Sequence, residues 1–204
     1  MKLIVGNKNY SSWSLRGWLA AKQSGLSFEE ITVPLFGDDW DQRKKHDGDI
    51  APSSGKVPVL WDGDAVVWDS LAILEYCADK VGRERFWPKD DAARAMARAM
   101  VAEMHSGYQA LRKELPMNIR RQPRAKHWNA EADHDIARVQ GLCCLVGEPG
   151  DDACGEPTVT APDVVYGTRL ALNGLGASAS QPAMRFLNAE RGWSQIDTRK
   201  VRLW

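Results

Sequence analysis

The chain has few cysteines, no net charge and no long apolar run, and each of these features excludes a class of protein. Its four cysteines, Cys77, Cys143, Cys144 and Cys154, lack the spacing of a metal site, and an adjacent pair makes a poor disulfide framework. Lysine plus arginine number 27, as do aspartate plus glutamate, so no overall field favours nucleic acid or an anionic membrane. We therefore expect reduced thiols, no metal, no nucleic acid, and a small molecule or another protein as the partner.

No stretch of the sequence approaches the roughly 20 apolar residues that a membrane-spanning helix needs. The start, Met1 to Gly6, contains one lysine and a very short apolar run, which is typical of a first strand and not of a signal peptide. These features predict a soluble, cytoplasmic protein. With 44% hydrophobic residues, the chain has ample material for the core of one large domain or of two smaller ones.

Residues 1–81 alternate between strand and helix signals. Strands are predicted over 3–5, 28–33, 57–61 and 65–68, and helices over 14–23 and 70–80. Gly25 and Gly82 are natural helix ends, and Asp62-Gly63-Asp64 between two apolar runs indicates a hairpin. The polar segment 38–49 supplies an irregular helix. The order βαβ, irregular helix and ββα predicts an α/β, thioredoxin-like domain.

The remainder of the chain carries helical signals. A short segment, 82–89, contains charge, an aromatic pair and a proline, and we interpret it as a linker. The alanine- and methionine-rich run 91–115 favours a helix, and a second helix is predicted over 124–145. A third is predicted to begin at Thr160, which can cap it. Residues 90–204 are thus predicted to form an all-helical C-terminal domain.

A serine-rich loop precedes the first predicted helix. Ser11, Ser12 and Ser14 lie there, and a serine in this place is commonly no more than an N-cap. A hydroxyl beside a helix N-terminus can also donate to a thiolate, and the helix end favours negative charge. A bound thiol, whose pKa is about 8.5 when free, would then ionise more readily at neutral pH. Both interpretations stay open at this point.

A second pattern combines a proline between β-branched residues with an acid-hydroxyl pair. Pro58 lies between Val57 and Val59, which suits a bend at the start of a strand, where a missing N–H and a cis bond are tolerated. Such a bend exposes the preceding main-chain amide and carbonyl. Asp69 and Ser70 would open a helix, where free N–H groups and the dipole favour a carboxylate ligand. Either element alone is weak evidence, but their order and spacing are specific.

Together these motifs resemble the glutathione transferase superfamily. The run Ser11 to Arg16 is similar to the serine-serine-cysteine-serine motif of the zeta class, which includes maleylacetoacetate isomerases, with Trp13 in place of the cysteine. The resemblance implies the glutathione transferase fold, glutathione as co-substrate and a homodimer. It also implies that Ser11 stabilises the thiolate of glutathione, with Ser12 as its neighbour.

The resemblance further implies how glutathione is held. Val57, before the proline Pro58, would pair its main chain with the cysteinyl part. Asp69 and Ser70 would hold the γ-glutamyl end. Lys56 would offer its side chain to the glycyl carboxylate.

The pocket for an electrophile would lie between the domains. Trp13 adjoins the predicted thiol site and Trp40 lies in the segment before Pro58, so both are candidates to shape it, and Tyr108 is a third. Residues at helical spacing in the same run usually belong to a core, which is the favoured interpretation for Met100, Met104, Tyr108 and Leu111. Arg16 is expected to form a structural ion pair, and the four histidines are expected to be solvated or locally bonded.

The sequence therefore predicts a glutathione transferase of detoxification type, which activates the thiol for attack on a small electrophile. A glutathione-dependent cis-trans isomerase of the maleylacetoacetate type and a noncatalytic binding or scaffold protein are the alternatives. A thiol-disulfide oxidoreductase is disfavoured because no cysteine lies at the start of the first helix.

Overall fold

A computed structural model describes residues 1–35, 37–118, 120 and 127–145. Within these ranges the chain forms four strands, six α-helices and two short 3-10 helices at Ala51–Ser53 and Arg83–Arg85. The strands and α-helices, in chain order, are β1 Lys2–Val5, α1 Ser12–Ser24, β2 Glu29–Thr32, α2 Trp40–His46, β3 Val59–Asp62, β4 Ala65–Trp68, α3 Ser70–Val81, α4 Asp91–Ser106, α5 Gln109–Glu114 and α6 Ala130–Leu145. The helix predicted to begin at Thr160 lies outside the described residues.

The four strands form one sheet in the order β2-β1-β3-β4. Strands β1 and β2 are parallel and joined through α1, whereas β3 is antiparallel to both β1 and β4. The predicted hairpin is confirmed: Asp62 pairs with Ala65 across a two-residue turn, and Gly63 adopts a φ of 58° that a residue with a side chain rarely takes. The thioredoxin-like fold class predicted from the sequence is therefore correct.

The two faces of the sheet contact different parts of the core, because successive side chains of a strand point to opposite faces. Leu3 and Leu60 lie in the main core with α1 and α3, and this core continues into the helices beyond residue 90. Ile4 and Val59 lie in a smaller cluster on the other face. Phe86 and Trp87, from the segment predicted as a linker, and residues of α4 belong to the main core as well.

Helix α1 approaches the start of β3 very closely at Gly17. A Cβ atom at Gly17 would lie 2.6 Å from Cγ of Pro58 and 3.5 Å from Cδ1 of Ile73 in α3. Real Cβ atoms do not come within 3.0 Å of such neighbours, so only a glycine permits this packing. The absence of a side chain at this position therefore sets how near α1 lies to Pro58.

The helix predicted over 91–115 is two helices in the structure. Helix α4 ends at Ser106, and Tyr108 has left-handed backbone angles, with φ of 62° and ψ of 41°. The Arg112 side chain donates to the main-chain carbonyls of Met104 and Gly107, and these bonds satisfy groups that a helix C-terminus leaves unpaired. Gly107, the C-cap of α4, is the local sign of this break, although the alanine- and methionine-rich composition of the run as a whole favours helix.

The helix predicted over 124–145 begins at Ala130, later than expected. Asn129 precedes it, and its side-chain oxygen accepts a hydrogen bond from the N–H of Ala132 at 2.9 Å, which is the geometry of an N-cap. Helix α6 is tied to α4 by Arg138, whose Nε and Nη2 donate to the two carboxylate oxygens of Glu103 at 2.6 and 2.8 Å. Among the described helices, none is long and apolar enough to cross a bilayer.

We predict that Gly17→Ala lowers the free energy of unfolding by about 1–2 kcal/mol. Overpacking a close contact costs about 1–3 kcal/mol, and this exceeds the gain of up to about 1 kcal/mol that alanine brings to a helix. Gly141→Ala in α6 is the matched control, because a Cβ there meets no described atom within 4 Å, and it should be neutral or stabilising. Urea denaturation of both variants measures the difference. A Gly17→Ala protein as stable as Gly141→Ala would contradict the packing account.

Candidate functional site

Three chain segments meet at one end of the sheet because of the strand register. Ile4, near the end of β1, lies opposite Val59 at the start of β3, and Val59 lies opposite Trp68 at the end of β4. The loop after β1, the segment before β3 and the residue after β4 therefore share this end. They carry the predicted serines, Val57-Pro58 and Asp69, respectively.

Ser11 is the N-cap of α1. Its Oγ accepts from the N–H of Ser14 at 3.3 Å and donates to Oγ of Ser14 at 2.9 Å. The Ser14 hydroxyl also accepts from the N–H of Gly6 at 2.9 Å, so this group ties the end of β1 to the start of α1. Ser12 is the first residue of α1, is half-buried, and its hydroxyl makes no hydrogen bond to the described residues. The capping interpretation thus holds for Ser11.

The segment before β3 leaves main-chain groups unpaired. The Val57–Pro58 peptide is cis, as the sequence pattern allowed. Neither the N–H nor the C=O of Val57 makes a hydrogen bond within the described part of the chain. Val57 is half-buried and Pro58 buried, whereas Lys56 is exposed. An extended ligand can pair with Val57 in the manner of an added strand.

The N-terminus of α3 combines a cap with a polar group that has no partner. Asp69 is the N-cap, and its Oδ1 accepts from the N–H groups of Leu71 at 2.9 Å and Ala72 at 3.4 Å. Ser70 is 3% exposed, and its buried Oγ has no hydrogen-bond partner among the described residues. Buried hydroxyls are usually paired. The helix end and the unpaired hydroxyl together suit a carboxylate ligand.

His105 of α4 reaches this end of the sheet from the helical part of the chain. Its Nε2 lies 2.9 Å from Oδ2 of Asp69. Its ring contacts Trp13 edge to face, with ring centroids 5.2 Å apart. The expectation that His105 is solvated or bonded only to its chain neighbours is therefore wrong. Its two contacts join the N-termini of α1 and α3.

Two arginines surround Trp13. The guanidinium carbons of Arg16 and Arg112 lie 3.8 and 4.7 Å from the centroid of the Trp13 ring, distances typical of cation–π contacts. Arg16 is 6% exposed, and its Nε and Nη2 have no hydrogen-bond partner among the described residues. Its Nη1 lies 3.4 Å from Sδ of Met104. No carboxylate of the described ranges pairs with Arg16, so the predicted structural ion pair is not found there.

The electrostatics of this cluster follow from burial. The pKa of Arg16 is lowered to about 9, first by burial and next by the charge of Arg112, against the opposing effect of Asp69. Burial also lowers the pKa of Arg112. Since both remain protonated near neutral pH, positive charge exceeds negative charge around Trp13.

The three residues predicted to shape an electrophile pocket are not brought together. Trp13 lies at the start of α1, within the cluster just described. Trp40 packs on the smaller cluster, on the face of the sheet opposite α1. Tyr108 is 6% exposed and its hydroxyl donates to Glu103 at 2.7 Å, so it belongs to the core. The core interpretation holds for the whole run, since the buried residues include Met100, Met104, Tyr108 and Leu111.

Several residues at the site carried no functional signal in the sequence. Asn9 is 2% exposed, donates to Asn118 at 3.0 Å and accepts from the N–H of Arg120 at 3.1 Å. It therefore fixes the serine loop against the segment after α5. His105 of α4 and Arg112 of α5 both contact Trp13, which directly follows the serine loop. Their distance from it in the chain is the reason that no local motif includes them.

The described side chains include neither an activated thiol nor a cluster of metal ligands. Cys77 is free and buried, and burial raises the pKa of its thiol to about 11, which makes a poor nucleophile. Within the described ranges, no group of three or more His, Cys, Asp or Glu side chains is arranged to hold a metal ion.

Comparison with known proteins identifies the domain that carries the site. Residues 10–80 match the family model described as glutathione S-transferase, N-terminal domain. The chain is 36% identical over 107 residues to glutathione S-transferase Z1 of Arabidopsis thaliana, which covers 50% of this chain and 47% of that protein. It is 35% identical over 100 residues to a probable maleylacetoacetate isomerase of Caenorhabditis elegans, which covers 49% and 44%. The chain thus spans about half the length of these curated relatives.

A solved structure shares the fold. A sphingomonad glutathione S-transferase complexed with glutathione superposes with a TM-score of 0.56 and 21% identity, over 94% of this chain and 91% of that one. The strand order and the sequence of helices in residues 10–80 are consistent with the domain that the family model describes. Residues 10–80 therefore carry a glutathione S-transferase N-terminal domain.

Proposed function

We propose that the protein is a cytoplasmic glutathione transferase of serine type, which ionises the thiol of glutathione for attack on a small electrophile. One observation carries the proposal: the main chain of Val57 and the hydroxyl of Ser70, neither of which has a hydrogen-bond partner among the described residues, lie at the same end of the sheet as the serine loop. A short peptide with a carboxylate at one end complements both.

Glutathione would lie along this end of the sheet. Its cysteinyl amide and carbonyl would pair with Val57, which places the sulfur toward the N-terminus of α1. Its γ-glutamyl carboxylate would accept from Ser70, and its ammonium group would meet Asp69, whose side chain is 47% exposed. Lys56, which is exposed, would reach the glycyl carboxylate.

Ser11 would stabilise the thiolate. Its O–H now donates to Ser14, and a thiolate that arrives beside it is a charged, hence stronger, acceptor. The N-terminus of α1 and the charge of Arg16 add favourable potential. The protein would supply orientation and an ionised thiol, and no covalent enzyme intermediate is needed. Ser12 is the competing candidate because its hydroxyl is not engaged by the described residues.

A glutathione-dependent isomerase is the second candidate, supported by the similarity to the Caenorhabditis elegans protein. The domain limits 1–81 and 90–204 with a linker at 82–89, the homodimer and the detoxification role belong to the same proposal. A conjugation assay with chlorodinitrobenzene beside an isomerisation assay with maleylacetone distinguishes the two activities.

We predict that Ser70→Ala weakens glutathione binding without loss of stability. The variant removes a hydroxyl that has no described partner, whereas a hydrogen bond to a charged ligand is worth about 1.5–3 kcal/mol, or about 10- to 100-fold in Kd. Calorimetric titration with glutathione and thermal unfolding measure the two effects. Ser54→Ala, at an exposed serine, is the control and should change neither. A wild-type protein that binds no glutathione at millimolar concentration would favour the scaffold alternative.

We predict that Ser11→Gly lowers kcat about 100-fold, as loss of one donor to a developing anion typically does. Glycine is a fair N-cap, so stability should fall by only a few tenths of a kcal/mol, whereas Ser11→Ala should lose about 1 kcal/mol as well. The comparison therefore separates catalysis from capping. Turnover is measured with chlorodinitrobenzene, and Ser12→Ala is made in parallel. Full turnover in Ser11→Gly together with loss in Ser12→Ala would assign the thiolate to Ser12.

A further inference from the structure

We propose that His105 is a positioning residue for the γ-glutamyl end of glutathione: from the helical part of the chain it orients the Asp69 carboxylate, and its protonation weakens glutathione binding. The inference rests on the proposed function, in which Asp69 meets the ammonium group of the ligand.

The Asp69 carboxylate is held on both oxygens. Oδ1 accepts from two N–H groups at the start of α3, and Oδ2 lies 2.9 Å from Nε2 of His105. The first two bonds come from residues adjacent in the chain and set the helix cap. The third contact comes from His105 in α4, and it fixes the rotation of the carboxylate about the Cβ–Cγ bond of Asp69. Nearly half of the Asp69 side chain remains exposed, which leaves room for a ligand cation.

The imidazole is itself fixed. The His105 ring stands at 75° to the ring of Trp13, with centroids 5.2 Å apart, and Trp13 in turn lies against the guanidinium groups of Arg16 and Arg112. A residue locked by its own neighbours can hold a ligand-binding group in a defined position. His105 thus connects Asp69 to the residue that follows the predicted thiol site.

The surroundings of His105 favour its neutral form. Its Nδ1 is buried and has no partner among the described residues, so a second proton there would be buried without an acceptor. Three charged groups face the ring: Asp69 from α3 favours the charged form, and Arg16 from α1 and Arg112 from α5 oppose it. Burial is the largest effect, and together these lower the pKa of His105 below its usual value. Near pH 7 the ring therefore donates Nε2–H to Asp69 and carries no charge.

This protonation state decides what Asp69 offers to a ligand. Beside neutral His105, Asp69 keeps its full negative charge for the ammonium group of glutathione. Beside the imidazolium, that charge is already compensated, and the two cations compete for one carboxylate. Because the pKa of His105 lies below about 6.5, binding should be constant near pH 7 and weaken as the pH falls through the titration of the ring.

Calorimetric titration with glutathione between pH 5.0 and 7.5 tests the proposal. At pH 7.5 more than half of α-amino groups, with pKa of about 7.7–8.0, are protonated, and α-carboxyl groups, with pKa of about 3.3–3.7, are ionised throughout, so titration of the ligand changes the affinity by less than about twofold. The wild type should lose affinity as the pH falls through the titration of His105, whose pKa lies below its usual value. His105→Gln retains an N–H donor and should bind like the wild type at pH 7.5 without that loss. His105→Leu should bind about tenfold more weakly at pH 7.5, as the loss of a charged-group hydrogen bond implies.

His46→Gln is the matched control, because His46 is an exposed histidine at the end of α2, and it should leave both the affinity and its pH dependence unchanged. Wild-type affinity in His105→Leu, or an undiminished pH dependence in His105→Gln, would overturn the inference while leaving the proposed function intact. A wild-type protein that binds no glutathione at any pH would overturn both.

A second measurement needs no variant. If glutathione binds better to the protein with neutral His105, saturation with glutathione must lower the pKa of that imidazole, since binding coupling is reciprocal. Titration of the His105 ring by NMR, with and without saturating glutathione, measures this shift, and S-methylglutathione serves as a ligand without an ionisable thiol. An imidazole pKa that is unchanged or raised by glutathione would contradict the proposal.

Discussion

The antiparallel register of β3 against β1 and β4 is the constraint on which the site depends. It places the residue before Pro58, the loop after β1 and the residue after β4 at one end of the sheet. Each contributes a different group: the main-chain N–H and C=O of Val57, a helix N-terminus with serines, and a second helix N-terminus with a carboxylate. A slip of one residue in this register would move the strand side chains to opposite faces and separate the three segments. The strand register thus brings these three segments together whatever side chains they carry.

Close packing transmits this constraint to the helices. Gly17 lets α1 lie directly against Pro58 and near Ile73 of α3, so α1 is held close both to the start of β3 and to α3. The core that packs these helices continues without a break into the helical part of the chain. Side chains from α4 and α5 therefore occupy fixed positions at a site whose proposed glutathione-binding elements come from residues 1–81.

The charge distribution around Trp13 explains how these parts influence one another. Arg16 and Arg112 bring two guanidinium groups to one ring, and Asp69 is the carboxylate that acts on Arg16 and pairs with His105. A buried positive cluster favours a negatively charged group nearby and disfavours a third cation. The same arginines that would help to ionise a bound thiol thus add to the effect of burial in lowering the pKa of His105. We therefore expect glutathione binding and the protonation of His105 to depend on the same charges, those of Arg16, Arg112 and Asp69.

The sequence by itself determined the elements and the local motifs of this protein. Alternating apolar residues, the Asp-Gly turn and the acid-hydroxyl helix start are short-range signals. They correctly predict the thioredoxin-like order, the hairpin, the bend between Val57 and Pro58, and the start of α3 at Asp69 and Ser70. The same reasoning missed the break at Tyr108, because it weighed the helix-favouring composition of the whole run above the single glycine at Gly107, and it grouped Trp40 with Trp13 although the sheet separates them.

Only the tertiary structure decided what surrounds those motifs. His105 and Arg112 reach the site from distant helices, and Asn9 holds the serine loop through Asn118 and Arg120, which are far from it in the chain. The Ser14 hydroxyl accepts from the N–H of Gly6, the residue after β1, and this bond between strand and helix exists only in the folded chain. Local patterns are set by neighbours along the chain and can be read from it, whereas burial, charge and hydrogen-bond partners depend on contacts that exist only once the chain has folded.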